Sequence, residues 1–189
     1  MNELSEKFVA TTDEDVLDPY IARIADHDKD ALAQLYHLTS GSVYGFALSI
    51  LKNTEDAEDV LQDTYLSIYA SASGYRSMGK PLAWILRITR NLCLMKLRDR
   101  RKIAATPLED LDLSFDNAPL MTHEDRIVLK SCMQYLSNEE VQIVMLRAVS
   151  GFKHREIAEF LALPLSTVLS KYHRAIKKIK ILFKGGESK

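Results

Sequence analysis

The sequence predicts an all-α protein: two small helical domains joined by a flexible linker, the C-terminal one containing a helix-turn-helix. Three observations point there. Glycine (7) and proline (5) are scarce among 189 residues, so the chain carries few of the residues that punctuate sheets and tight turns. Apolar residues recur at three- and four-residue spacing almost throughout, and strand-like alternation is absent. That periodicity fails between Ile103 and about Thr122, where Pro107 and Pro119 bracket the acids Glu109, Asp110, Asp112 and Asp116.

Residues 1–18 read as an acidic tail, and residues 19–102 as the first domain. Its first helix is expected near Asp18 or Pro19. A second is expected over Asp30 to Ser40 (Ala31, Leu32, Leu35, Tyr36) and a third over Ser42 to Lys52 (Val43, Phe46, Ala47, Ile50, Leu51). Thr54 is the expected N-cap of the next, with Glu55 and Asp56 in the first turn, where the helix dipole favours acids. That helix runs to about Ala72. It turns Ala57, Val60, Leu61, Thr64, Tyr65 and Ile68 inward and leaves Glu55, Asp59, Gln62, Asp63 and Leu66 outward.

Gly74 to Lys80 is a loop, and Pro81 suits the first position of a helix ending among Arg98 to Lys102. Ile85, Ile88, Leu92 and Met95 mark its expected buried side, with Trp84 at the border. Arg87, Arg90, Asn91, Arg98 and Arg101 project from the other side, and Lys80 heads the same stripe. Residues 103–122 form the linker.

The second domain occupies residues 123–189. Arg126 to Tyr135 reads as a helix, and Ser137 with Glu140 forms a capping box for another that ends near Ser150, closed by Gly151. Lys153 to Leu161 is a short helix, Ala162 to Leu165 a turn, and Ser166 to Lys184 a long final helix. At about 100° per residue, Val168, Tyr172, Ala175, Ile176, Ile179 and Phe183 gather on one side of it. Ser166, Thr167, Ser170, Lys171, Arg174, Lys177 and Lys178 gather on the other.

Charge is distributed in blocks. Residues 1–75 carry 4 Lys/Arg against 14 Asp/Glu, 76–106 carry 9 against 1, 107–140 carry 2 against 8, and 141–189 carry 10 against 3. Two basic blocks set between acidic ones suggest two separate polyanion contacts. A short helix, a turn with Pro164 and a basic, hydroxyl-rich helix have the form of a helix-turn-helix, whose second helix enters the major groove. Its lysines and arginine suit phosphates and guanine, and its hydroxyls reach base edges or phosphate oxygens. The stripe Lys80, Arg87, Arg90 and Asn91 beside an indole suits a strand with unstacked bases, because cations follow the backbone while an aromatic supports a base. Trp84 alone would more often be a core residue.

Other chemistry finds no support in the sequence. His27, His37, His123, His154 and His173 lack metal-ligand spacing, and no phosphate-binding glycine loop or activated nucleophile is present, so neither an enzyme nor a cofactor is expected. Met1 to Asp18 lacks a signal-peptide core, and no apolar run approaches the ~20 residues of a membrane span. Cys93 and Cys132 sit apart in apolar helical patterns, as buried thiols of a reducing compartment do. The expected location is cytoplasmic.

Three segments, taken in order, resemble the extracytoplasmic-function class of bacterial RNA polymerase sigma factors. They are Asp56-Ala57-Glu58-Asp59-Val60-Leu61-Gln62-Asp63-Thr64-Tyr65, Lys80-Pro81-Leu82-Ala83-Trp84-Ile85-Leu86-Arg87-Ile88-Thr89-Arg90-Asn91-Leu92, and Arg155-Glu156-Ile157-Ala158 with Pro164-Leu165-Ser166-Thr167-Val168. The resemblance covers about Ala31 to Leu182. It implies that Asp59, Gln62 and Asp63 bind the clamp helices of the polymerase largest subunit. It gives Lys80, Trp84, Arg87, Arg90 and Asn91 the −10 element and its melting, and the final helix the −35 duplex. It further implies a linker threaded into the polymerase and an anti-sigma partner. The competing reading is a helix-turn-helix regulator acting without core polymerase, which would make no use of the Arg87/Arg90/Asn91 stripe.

Overall fold

The computed structural model describes residues 14–77, 79–103, 134–148 and 151–185, all of them helix, turn or irregular chain. The expected linker from residue 104 onward, most of the helix Arg126 to Tyr135, and Cys132 lie outside the described residues.

Helix α1 spans Glu14–Ala25. It starts before the expected Asp18 or Pro19 and carries Pro19 inside it. Leu17, Ile21 and Ile24, three and four residues apart, are fully buried, so tertiary packing outweighs the hydrogen bond that Pro19 removes. Helix α2, Lys29–Leu51, is one element where two were expected. Asp28 caps its start, its carboxylate accepting from the N–H groups of Asp30 (2.9 Å) and Ala31 (3.0 Å). The left-handed Lys52 ends it, donating its N–H to Leu48 O at 3.0 Å. Gly41, the residue between the two expected helices, is carried through: a glycine costs a helix about 1 kcal/mol, and burial along both halves exceeds that.

Helix α3 spans Thr54–Ser71 and is capped by Asn53, one residue before the expected Thr54; the Asn53 side chain accepts from Asp56 N–H at 2.8 Å. A 3-10 turn, Ala72–Gly74, leads to the loop before helix α4, Pro81–Ile103, which opens on the expected proline. Its buried face is rotated from the one expected. Leu82, Ile85, Leu86, Thr89 and Cys93 face the core, whereas Met95 is 52% exposed. A threonine faces the core here because its hydroxyl donates to Ile85 O at 3.0 Å and lies 3.4 Å from the Thr64 hydroxyl of α3, so no polar group is left unpaired.

Helix α2 is central, with α1, α3 and α4 packed around it. Leu35, Tyr44, Phe46 and Leu48 of α2 meet Leu61 and Ile68 of α3 and Ile85 and Leu86 of α4 in one buried cluster.

The C-terminal unit has three described helices: α5, Asn138–Ala148; α6, His154–Leu161; and α7, Leu165–Gly185. The capping box at α5 forms as expected: Ser137 N–H donates to Glu140 Oε2 (2.8 Å), and Glu140 N–H to Ser137 Oγ (3.3 Å). Gly151 takes φ 64°, in the left-handed region that favours glycine. Lys153 N–H donates to Glu156 Oε2 at 2.7 Å to start α6, and the left-handed Ala162 ends it. Pro164 O then accepts from Val168 N–H (3.1 Å), so α7 starts at Leu165 and places Ser166 and Thr167 within its first turn rather than at its cap.

Candidate nucleic-acid interface

Helix α7 presents the two faces its sequence predicts. Val168 and Ala175 are fully buried, and Tyr172, Ile176 and Ile179 are half-buried on the same side. Ser166, Ser170, Arg174, Lys177 and Lys178 are exposed on the other, with Thr167 and Lys171 half-buried at its edge. Tertiary packing divides the basic residues further. Lys171 Nζ lies 2.8 Å from Glu139 Oε2, and Lys178 Nζ 2.8 Å from Glu140 Oε2, both acids belonging to α5. Arg174 and Lys177 have no ion pair among the described residues. Two lysines thus brace α7 against α5, while Arg174 and Lys177 remain presented outward.

Glu140 carries both jobs at the α5–α7 junction. Burial pushes its carboxyl up, but the Lys178 ammonium and the Ser137 N–H more than offset this and hold it below its ordinary value of 4.5. It is therefore a charged group at neutral pH that caps one helix and ties down another.

On α4, Lys80, Trp84, Arg87 and Asn91 follow one another at spacings of four, three and four, a single stripe along the helix. Arg87 and Asn91 are exposed, while Trp84 is half-buried. The Trp84 indole is held by Tyr75, ring centroids 4.7 Å apart at 50°. Tyr75 is a residue that sequence reasoning missed. Its hydroxyl donates to Asp18 Oδ1 at 2.6 Å, and the Ser77 hydroxyl donates to the other Asp18 oxygen, so the loop before α4 is fastened to α1. The available signal was compositional: Tyr75 is the aromatic within the loop Ser73 to Gly79. Lys80 and Arg90 do not join Arg87 and Asn91 in solvent. Lys80 Nζ pairs with Glu156 Oε1 at 2.5 Å, and the Arg90 guanidinium lies 5.8 Å from the Phe160 ring centroid, both partners being on α6.

The acidic face of α3 is as expected. Glu55, Asp59, Gln62, Asp63 and Leu66 are exposed, Leu66 by 67%, while the opposite face is buried. Behind it stands an ion network. Lys96 Nζ lies 2.5 Å from Asp59 Oδ2 and 3.1 Å from Asp56 Oδ1, and Arg100 pairs with the other Asp56 oxygen. Desolvation lowers the Lys96 pKa, but the two carboxylates more than reverse it, and the net shift is upward. Asp59 is thus shared between the surface and α4, whereas Gln62 and Asp63 are presented to solvent.

Among the described residues no three His, Cys, Asp or Glu side chains come together to hold a metal, and no helix is long and apolar enough to cross a membrane. Cys93 is buried, and burial pushes its thiol up to about 12, which leaves it protonated and unreactive at neutral pH.

Comparison with known proteins gives three findings. Residues 35–103 match the family model of Sigma-70 region 2, and residues 126–179 that of Sigma-70 region 4. The chain is 30% identical over 179 residues to the ECF RNA polymerase sigma factor SigK of Mycobacterium sp. (strain KMS), covering 90% of each chain. It is 28% identical to SigK of Mycobacterium tuberculosis (strain ATCC 25618 / H37Rv), covering 87% of this chain and 91% of the other. In fold it is similar to sigma factor RpoE from Bartonella quintana, solved with the anti-sigma factor NepR (TM-score 0.62, 23% identity, 83% of this chain and 98% of that one). It is also similar to CnrH, solved with the cytosolic domain of CnrY (TM-score 0.54, 21% identity, 89% of this chain and 97% of that one).

Proposed function

The chain belongs to the extracytoplasmic-function family of RNA polymerase sigma factors, and on that premise we propose which of its faces performs each step of promoter recognition. The family confers promoter specificity on core polymerase at initiation, and the regulator reading without polymerase is not favoured. Residues 19–102 act as the polymerase-binding and −10 unit, 103–122 as the linker, and 123–189 as the −35 unit.

The observation that carries the assignment is the separation of charge onto three helices with buried opposite faces. Asp59, Gln62 and Asp63 of α3, with exposed Leu66 beside them, suit a basic helical surface, the clamp helices of the largest subunit: charge steers the encounter and the leucine supplies apolar burial. On α4, Arg87 and Asn91 with Lys80 and Arg90 follow the melted −10 strand, and Trp84 stacks on a base where the duplex has opened. On α7, Arg174 and Lys177 with Ser166, Thr167 and Ser170 meet the −35 duplex, while Lys171 and Lys178 hold the helix at its angle and add their charge to the phosphates. Sigma factors are generally non-catalytic regulators, and the chain supplies contacts rather than chemistry. It acts where polymerase acts, in the cytoplasm. An anti-sigma protein is the expected partner that covers the charged faces; RpoE was solved with the anti-sigma factor NepR, and CnrH with the cytosolic domain of CnrY.

The test is transcription in vitro. Purified chain added to core polymerase is expected to start RNA at promoters mapped after its overexpression, and core alone is not. Failure at every such promoter would remove the assignment.

A further inference from the structure

Asp18 stands on α1, outside the segment that matches Sigma-70 region 2, which begins at residue 35. Both of its carboxylate oxygens are nevertheless taken by the loop that leads into α4. The Tyr75 hydroxyl donates to Oδ1 at 2.6 Å, and the Ser77 hydroxyl donates to Oδ2. An ionised carboxylate accepts at both oxygens and donates at neither, so the two hydroxyls do not compete for it. The partners are 57 and 59 residues away along the chain, so neither bond belongs to a local turn. Helix α1 also packs on the 3-10 turn Ala72–Gly74 and on α4, and so touches the elements on both sides of the loop.

This latch sets what the loop presents. Tyr75 is extended (φ −67°, ψ 134°), and in extended chain successive side chains point to opposite sides. Holding Tyr75 and Ser77 on the Asp18 side leaves Arg76, between them, exposed on the other, with no ion pair among the described residues. The Tyr75 ring at the same time lies 4.7 Å from the Trp84 ring at 50°. Its hydroxyl end is therefore fixed by α1 while the ring braces the indole of α4. A loop that must be ordered as its ligand arrives loses affinity to that ordering, and a loop already held does not.

We propose that Asp18 is a positioning residue for promoter opening. From α1, through the hydroxyls of Tyr75 and Ser77, it fixes Trp84 and Arg76 in the arrangement that receives the −10 strand. The carboxylate itself does not touch nucleic acid; it acts through the two residues it holds. The inference rests on the assignment of Trp84 to that strand, but the latch can be measured without DNA.

The experiment uses the full chain. Trp84 is its one tryptophan, so tryptophan fluorescence of the free chain reports on the loop. D18A removes both acceptors, and alanine favours the helix it enters. Y75F/S77A removes both donors and keeps a ring beside Trp84. Each variant, with helicity checked by circular dichroism, is expected to raise acrylamide quenching of Trp84, and the triple variant D18A/Y75F/S77A to raise it no further. With core polymerase, opening of a promoter mapped after overexpression is followed by a fluorescent base analogue in the −10 element. Opening is expected to slow about tenfold in D18A and equally in Y75F/S77A, with initial duplex binding unchanged and no further loss in the triple variant. D18N keeps one oxygen acceptor and is expected to recover part of the rate. Unchanged quenching or unchanged opening in D18A would overturn the proposal. So would additive losses in the triple variant, or a D18A defect that lies in initial duplex binding. If quenching responds as expected but the parent chain opens no promoter, the promoter assignment fails and takes the −10 role of Asp18 with it, while the latch stands.

Discussion

At the scale of residues, helix α7 separates its cations by what already holds them. Arg174 faces outward with no ion pair among the described residues, whereas Lys178 is tied to Glu140. R174A is therefore expected to weaken −35 binding by about 1–3 kcal/mol if it meets a base edge, read as a change confined to particular operator sequences. K177A is expected to weaken all sequences alike and to reduce the salt slope of holoenzyme binding by about one. Glu140 makes a different prediction. Its folded-state carboxyl lies below the ordinary 4.5, so the stability it contributes is complete above that value and is lost as pH falls through the lower, folded one. E140Q keeps a capping acceptor but not the charge. Its urea midpoint is expected to be lower than the parent's at neutral pH and to converge with it in acid, below about pH 4.5.

At the scale of elements, caps and buried polar pairs set where helices start and which way they face. Asn53 accepts the Asp56 N–H at 2.8 Å, so N53A is expected to cost about 1 kcal/mol in denaturant unfolding. The outward face of α3 is the element we propose to meet polymerase. D63R is expected to lower affinity for core polymerase while leaving duplex binding by the C-terminal unit intact, measured by competition with a labelled parent chain. The face of α3 was legible in advance, because its apolar residues follow one stripe without interruption. The face of α4 was not. Ile85, Ile88, Leu92 and Met95 make an acceptable stripe, but the buried one runs through Thr89, whose polarity hides it until its partners Ile85 O and Thr64 are known. The division expected between Ser40 and Ser42 failed for a related reason: the glycine between them would end a helix only where nothing packs around the next turn.

At the scale of the whole molecule, the described helices of the two domains share one large buried body, with Phe46 and Phe160 at the join and a smaller cluster of Leu136, Val141 and Ala175 apart from it. Cys93, buried in that body with its thiol pushed up to about 12, is a probe of its cohesion. In a C132S chain, Cys93 is expected to react with a thiol reagent only as fast as the core opens, and the reaction is expected to accelerate steeply through the denaturant range where helicity is lost. Retained fast reaction in native buffer would show that the body opens locally around α4.

The sequence by itself determined the helical class, the order of the helices, the acidic and basic faces and, through three motifs, the family. These depend on spacing along one helix, which residue order fixes directly. Only the tertiary structure decided which charges are presented and which are held: Lys171 and Lys178 by α5, Lys80 and Arg90 by α6, Asp59 by Lys96. Those partners lie tens of residues away along the chain. Their pairing follows from how helices pack through the core, and no local pattern of residues records it.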